Sequence, residues 1–144
     1  MKKELKDYIY LYNNRFNPIK VLVDNIEQKY LWDIEVYEED YINLTLGETK
    51  LRSMDVNSDD WNVYNDNYSL ERIKPILRPL SDITEREIYE YGEIEQACPI
   101  NHSFLIYQCR VEAEQTKYLL SKHFDLFGLI DAGLAIDKSL TPQQ

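Results

Sequence analysis

Residues 19–37 read Ile19-Lys20-Val21-Leu22-Val23-Asp24-Asn25-Ile26-Glu27-Gln28-Lys29-Tyr30-Leu31-Trp32-Asp33-Ile34-Glu35-Val36-Tyr37. Ile19 to Val23 is a short apolar run rich in β-branched residues, which suit a pleated, half-buried surface. Asp24-Asn25 supplies a turn. Tyr30, Trp32, Ile34 and Val36 then alternate with Leu31, Asp33, Glu35 and Tyr37. That period of two predicts a strand with one face more apolar than the other. The whole stretch reads as an antiparallel hairpin.

Outward from it, Glu38-Glu39-Asp40 is an acidic turn and Tyr41 to Leu46 a third strand, closed by Gly47. A fourth strand is expected over 48–54 and a polar loop over 55–67, anchored by Trp61, Val63 and Tyr64. Tyr68 to Leu80 reads as extended. Pro75 and Pro79 cannot donate to a ladder, which predicts a sheet edge or an irregular crossing. Upstream, Leu5, Tyr8, Ile9 and Tyr12 share one helical face, and Asn17-Pro18 ends that helix. Thr84 and Glu87 form a capping box, with Ile83 and Ile88 as its hydrophobic staple. They predict a short helix near 85–91 that stops at Gly92. Phe104 to Val111 reads as a strand. A C-terminal helix is expected near 113–124, where Thr116, Leu119, Leu120, His123 and Phe124 recur at helical spacing. Residues 138–144 read as a tail. The expectation is one α+β domain over 1–144: an antiparallel sheet with peripheral helices.

A chain of 144 residues that is 44% hydrophobic can bury a core without staples. No apolar run is long enough to span a membrane. The charged start, Met1-Lys2-Lys3-Glu4, lacks the apolar segment of a secretory signal. Cys98 and Cys109 then read as free thiols of a cytoplasmic protein. Four glycines are too few for a glycine-rich phosphate cradle. The net charge of −10 is uneven, with twelve acids and three bases between residues 24 and 66. Such a chain repels nucleic acid and anionic membrane, and its natural partners are basic surfaces.

Candidate chemistries are weak. Asp55, Asn57, Asp59 and Asp66 match positions 1, 3, 5 and 12 of a calcium loop, but Asp60 replaces the usual glycine and no helices flank it. Cys98, His102, Cys109 and His123 are the only soft ligands, and their spacing fits a zinc site loosely. Nothing in the sequence brings either cysteine beside a histidine for nucleophilic catalysis. Adjacent carboxylates arise on any solvated face of so acidic a chain. No enzyme activity, cofactor or metal is expected. The tyrosines are more informative. Twelve are present, and several lie beside acids. Tyrosine offers contact area at low entropic cost and keeps a polar tip. Glu38, Glu39, Asp40, Tyr37, Tyr41, Asp59, Asp60 and Tyr64 are therefore the candidate partner-binding residues, aimed at lysine and arginine on another protein.

Two stretches carry a resemblance. Ile73-Lys74-Pro75-Ile76-Leu77-Arg78-Pro79-Leu80-Ser81-Asp82-Ile83-Thr84 and His123-Phe124-Asp125-Leu126-Phe127-Gly128-Leu129-Ile130-Asp131-Ala132-Gly133-Leu134-Ala135-Ile136-Asp137 resemble segments of a group of small bacteriophage and prophage proteins. The resemblance covers about a fifth of the chain and brings no catalytic residue with it. It implies a phage context, and with it an inhibitor of a host defence enzyme such as an RNA-guided (CRISPR) effector nuclease. An acidic protein can dock on the basic channel of such an enzyme. A phage accessory protein with another protein partner, and a small metal-binding protein or enzyme, are the alternatives.

Overall fold

A computed structural model describes residues 2–14, 16–38, 41–48, 66–98 and 104–140. The fold is α+β, with a mostly antiparallel sheet and two α-helices. The strands are β1 (Lys20–Val23), β2 (Glu27–Glu38), β3 (Tyr41–Gly47), β4 (Asp66–Ser69), β5 (Ile73–Leu77) and β6 (Ile136–Asp137). Their order across the sheet is β4-β3-β2-β1-β5-β6. Only β5 and β6 pair in parallel. The helices are α1 (Glu85–Ala97) and α2 (Phe104–Ser121).

The β1–β2 hairpin forms as expected. Asp24 and Asn25 both have positive φ, 52° and 62°, and Ile26 N–H donates to Val23 O at 3.0 Å. Two left-handed central residues make a type I′ turn, whose twist matches its strands. Alternation in β2 holds only as far as Leu31, because the register against β3 shifts between Leu31 and Asp33. Leu31 then faces Leu46, and Ile34 faces Leu44. The bulge reverses the strand's phase and puts Leu31 and Ile34 on one face, with Trp32 excluded. The core face is therefore not the Tyr30-Trp32-Ile34-Val36 face that simple alternation selects.

The core gathers Val21, Val23, Leu31, Leu44, Leu46, Ile73 and Leu77 from the sheet. Leu5, Ile9 and Tyr12 cover it from the N-terminal segment, and Leu129 and Ala135 from the C-terminal one. The apolar spacing upstream marked the right residues but the wrong helix type. Leu5–Asp7 and Ile9–Tyr12 are two short 3-10 turns broken at Tyr8. Tyr12 is buried and donates to Phe124 O at 2.7 Å, and burial pushes its hydroxyl up to about 12.

Pro75 lies in β5 between β1 and β6, not on an outer strand. Asp24 N–H donates to Arg72 O at 2.8 Å, and the alternating ladder then leaves the Val21/Pro75 pair unbonded. The Pro75 nitrogen points away from β1, towards a neighbour that pairs only from Ile76 onward. The proline costs no ladder bond there.

The helices depart further from expectation. α1 passes through Gly92 and continues to Ala97. Phe104 to Val111 is not a strand but the first half of α2, and that helix ends at Ser121 rather than near 124. A short apolar run alone does not distinguish a strand from a helix. Here the run joins the helix-forming stretch after it and packs antiparallel to α1: Tyr107 OH donates to Glu95 O at 3.1 Å, and Tyr118 OH to Glu90 at 3.0 Å. Lys138–Leu140, expected as tail, forms a 3-10 turn. The strand expected at 48–54 lies outside the described residues, apart from Glu48.

Candidate functional site

The two stretches that carry the phage resemblance lie side by side. Ile76 and Leu77 pair with Ile136 and Asp137. Arg78 N–H donates to His123 O, and Asp125 N–H to Arg78 O, both at 2.8 Å. Arg78 holds the junction together. Its guanidinium stacks 4.2 Å above the centre of the buried Phe124 ring. Its two terminal nitrogens grip Glu87 at 2.8 and 2.7 Å, and Nε donates to Asp82 at 3.2 Å. Glu87 also accepts from Thr84 N–H at 3.1 Å and completes the capping box of α1. Arg78 beside it, with the Thr84 bonds, holds the Glu87 carboxyl down at about 2. Asp125 caps the turn after it, accepting from the backbone N–H of Leu129 at 2.9 Å and of Ile130 at 3.0 Å. These charged groups are consumed by one another. They build the fold and leave no free acid or base for proton transfer.

The acidic partner-binding residues fall at the far end of the longest strand pair. Glu38 of β2 pairs with Tyr41 of β3, so Tyr37, Glu38 and Tyr41 flank the end of this hairpin. Glu39, Asp40, Asp59, Asp60 and Tyr64 lie outside the described residues. So does the calcium-like loop, except Asp66, which starts β4.

The soft ligands do not gather. Cys98 and Cys109 are free, and His102 lies outside the described residues. His123 contacts Asn17 O through Nε2 at 2.8 Å. A carbonyl only accepts, so that nitrogen carries the proton. Among the described residues no three His, Cys, Asp or Glu side chains are grouped to hold a metal, and no helix is long and apolar enough to cross a membrane.

Sequence reasoning missed the surface of the helical hairpin. In α1 only Glu87 is buried, and in α2 only Val111. Phe104 is 74% exposed and Leu105 70%, with Ile106 also exposed beside them. The Phe104 and Tyr107 ring centres are 6.4 Å apart, and Tyr107 reaches back to Glu95 on α1. α1 itself carries five glutamates against one arginine. The result is an apolar, aromatic end beside an acidic helix. The signal was present in Phe104-Leu105-Ile106-Tyr107, but reading that run as a buried strand hid it.

Comparison with protein-family models, with curated proteins and with solved structures gives no match.

Proposed function

We propose that this chain is a non-enzymatic, phage-type protein that binds and inhibits a host nucleic-acid-handling defence complex, such as an RNA-guided effector nuclease. It docks on a basic surface of that complex, in the host cytoplasm, and makes no contact with nucleic acid of its own. The observation that carries the reading is the exposed end of the helical hairpin, where Phe104, Leu105, Ile106 and Tyr107 sit beside Glu95. Exposed aromatic and aliphatic anchors supply binding energy once desolvated against a partner. Flanking acids steer encounter with a basic surface and select against acidic ones. The excess of acids over bases between residues 24 and 66 supports the same polarity, and the phage setting comes from the resemblance of 73–84 and 123–137.

The apolar end also supports a second reading, a phage accessory protein with a different partner, because such anchors are not specific to basic surfaces. Phage plating on hosts with and without their own nucleic-acid-targeting defence separates the two. Expression of the chain should raise plating on the defended host alone. Equal plating on both hosts, with and without the chain, contradicts inhibition of defence.

A further inference from the structure

A cleft of about 280 Å³ opens at the seam between β1, β2, β5 and the turn after α2. Lys20, Arg78, Lys122, His123 and Lys138 line it, with Tyr30 as its aromatic wall. No aspartate or glutamate lines it, although the chain has 26 acids against 16 bases. We propose that this cleft binds a small phosphate monoester, held by the ammonium groups of Lys20 and Lys122.

Three observations lead there. First, the Lys20 and Lys122 ammoniums rest over aromatic rings, of Tyr30 at 5.5 Å and Tyr118 at 5.7 Å. Among the described residues neither forms an ion pair with a carboxylate. Like charges brought to one concave surface repel, and an anion between them removes that repulsion. Second, the donor set selects the anion. Arg78 has the planar fork that suits a carboxylate, but Glu87 already occupies it. The lysines that remain are compact point charges that suit a phosphate dianion. Third, the cleft has more room than a bare phosphate needs. Pro18, Tyr30 and Ile76 provide apolar wall for an organic group.

The backbone beneath the cleft is held rigidly. His123 lies at φ 67°, in the left-handed region that favours glycine. Its carbonyl accepts from Arg78 N–H, its N–H donates to Leu120 O, and its ring reaches Asn17 O. Strain fixed from three sides keeps Lys122 in place, as in a preorganised site.

Calorimetric titration with inorganic phosphate, a nucleoside 5′-monophosphate and the parent nucleoside tests the proposal. A short oligonucleotide with and without a 5′-phosphate completes the set. The monophosphate should bind saturably and more tightly than inorganic phosphate, and the nucleoside should not bind. The 5′-phosphorylated strand should bind more weakly than the free monophosphate, because the acidic chain repels its remaining phosphates. Lys20→Gln and Lys122→Gln should each weaken the monophosphate about tenfold or more. Lys74→Gln, outside the cleft, should not, and all three variants should keep the thermal midpoint of the parent. No saturable binding of either phosphate probe below about 10 mM, or unchanged affinity in both cleft variants, overturns the proposal. Equal binding of the nucleoside overturns the phosphate assignment, and tighter binding of the phosphorylated strand overturns the small-ligand assignment.

Discussion

Replacing Glu87 by glutamine removes one charge from the junction and leaves its shape. The carboxylate accepts two bonds from Arg78, at 2.7 and 2.8 Å, and two from Thr84, at 3.1 and 3.0 Å. Its folded-state pKa falls from an ordinary 4.5 to about 2, chiefly because of Arg78. A shift of that size corresponds to at most about 3 kcal/mol. The pair sits near the surface, where solvent screens it, so about 1–2 kcal/mol is the expected contribution. A depressed carboxyl pKa means that the unfolded chain takes up the proton first. The stabilisation is present above pH 4.5 and drains away as pH falls towards 2. Urea unfolding of the parent and of Glu87→Gln at a series of pH values isolates this group, because every other carboxyl cancels in the difference. The parent should be more stable by about 1–2 kcal/mol near neutral pH, and the gap should close on acidification through that window. A gap that is independent of pH, or absent at neutral pH, would refute the reasoning.

Tyr12→Phe should cost about 1–3 kcal/mol in urea unfolding, because it strands the buried Phe124 carbonyl and the Leu126 N–H that Tyr12 now satisfies; no loss would mean that other groups satisfy them. Gly47→Ala should destabilise by about 1–3 kcal/mol and shift tryptophan emission, since a methyl there falls inside the Trp32 indole; unchanged emission and stability would contradict that packing. A chelator should leave the thermal midpoint unchanged, because neither the Asp55 loop nor the cysteine–histidine set is expected to hold an ion, and a fall of several degrees would contradict it.

Local rules were legible where they are self-contained. The Asp24-Asn25 turn and the Thr84/Glu87 capping box each depend on a few neighbouring residues, and both stand as read. Rules that need a partner were not. The bulge at Trp32 depends on the register with β3, and nothing in β2 alone announces it. Phe104 to Tyr107 carries strand-like composition, yet its conformation follows from α1 lying alongside. Gly92 was read as a helix end, but a glycine at that position also continues a helix at modest cost. The basic cleft was illegible for the same reason on a larger scale. Lys20, Lys122 and Lys138 are far apart in sequence, and only the seam between the N-terminal strands and the C-terminal turn brings them together. Of the acidic partner-binding set, the structure places Tyr37, Glu38 and Tyr41 at the end of the β2–β3 hairpin.

The central claim is docking on a basic protein surface through acidic side chains. Association kinetics with the defence complex that the chain inhibits, at two ionic strengths, test it most directly. The parent is compared with a variant in which Glu38, Glu39 and Asp40 are all alanine. The account predicts slower association and a flatter salt dependence for the variant, with dissociation little changed and the thermal midpoint intact. Equal association rates and equal salt slopes for the two proteins would contradict it.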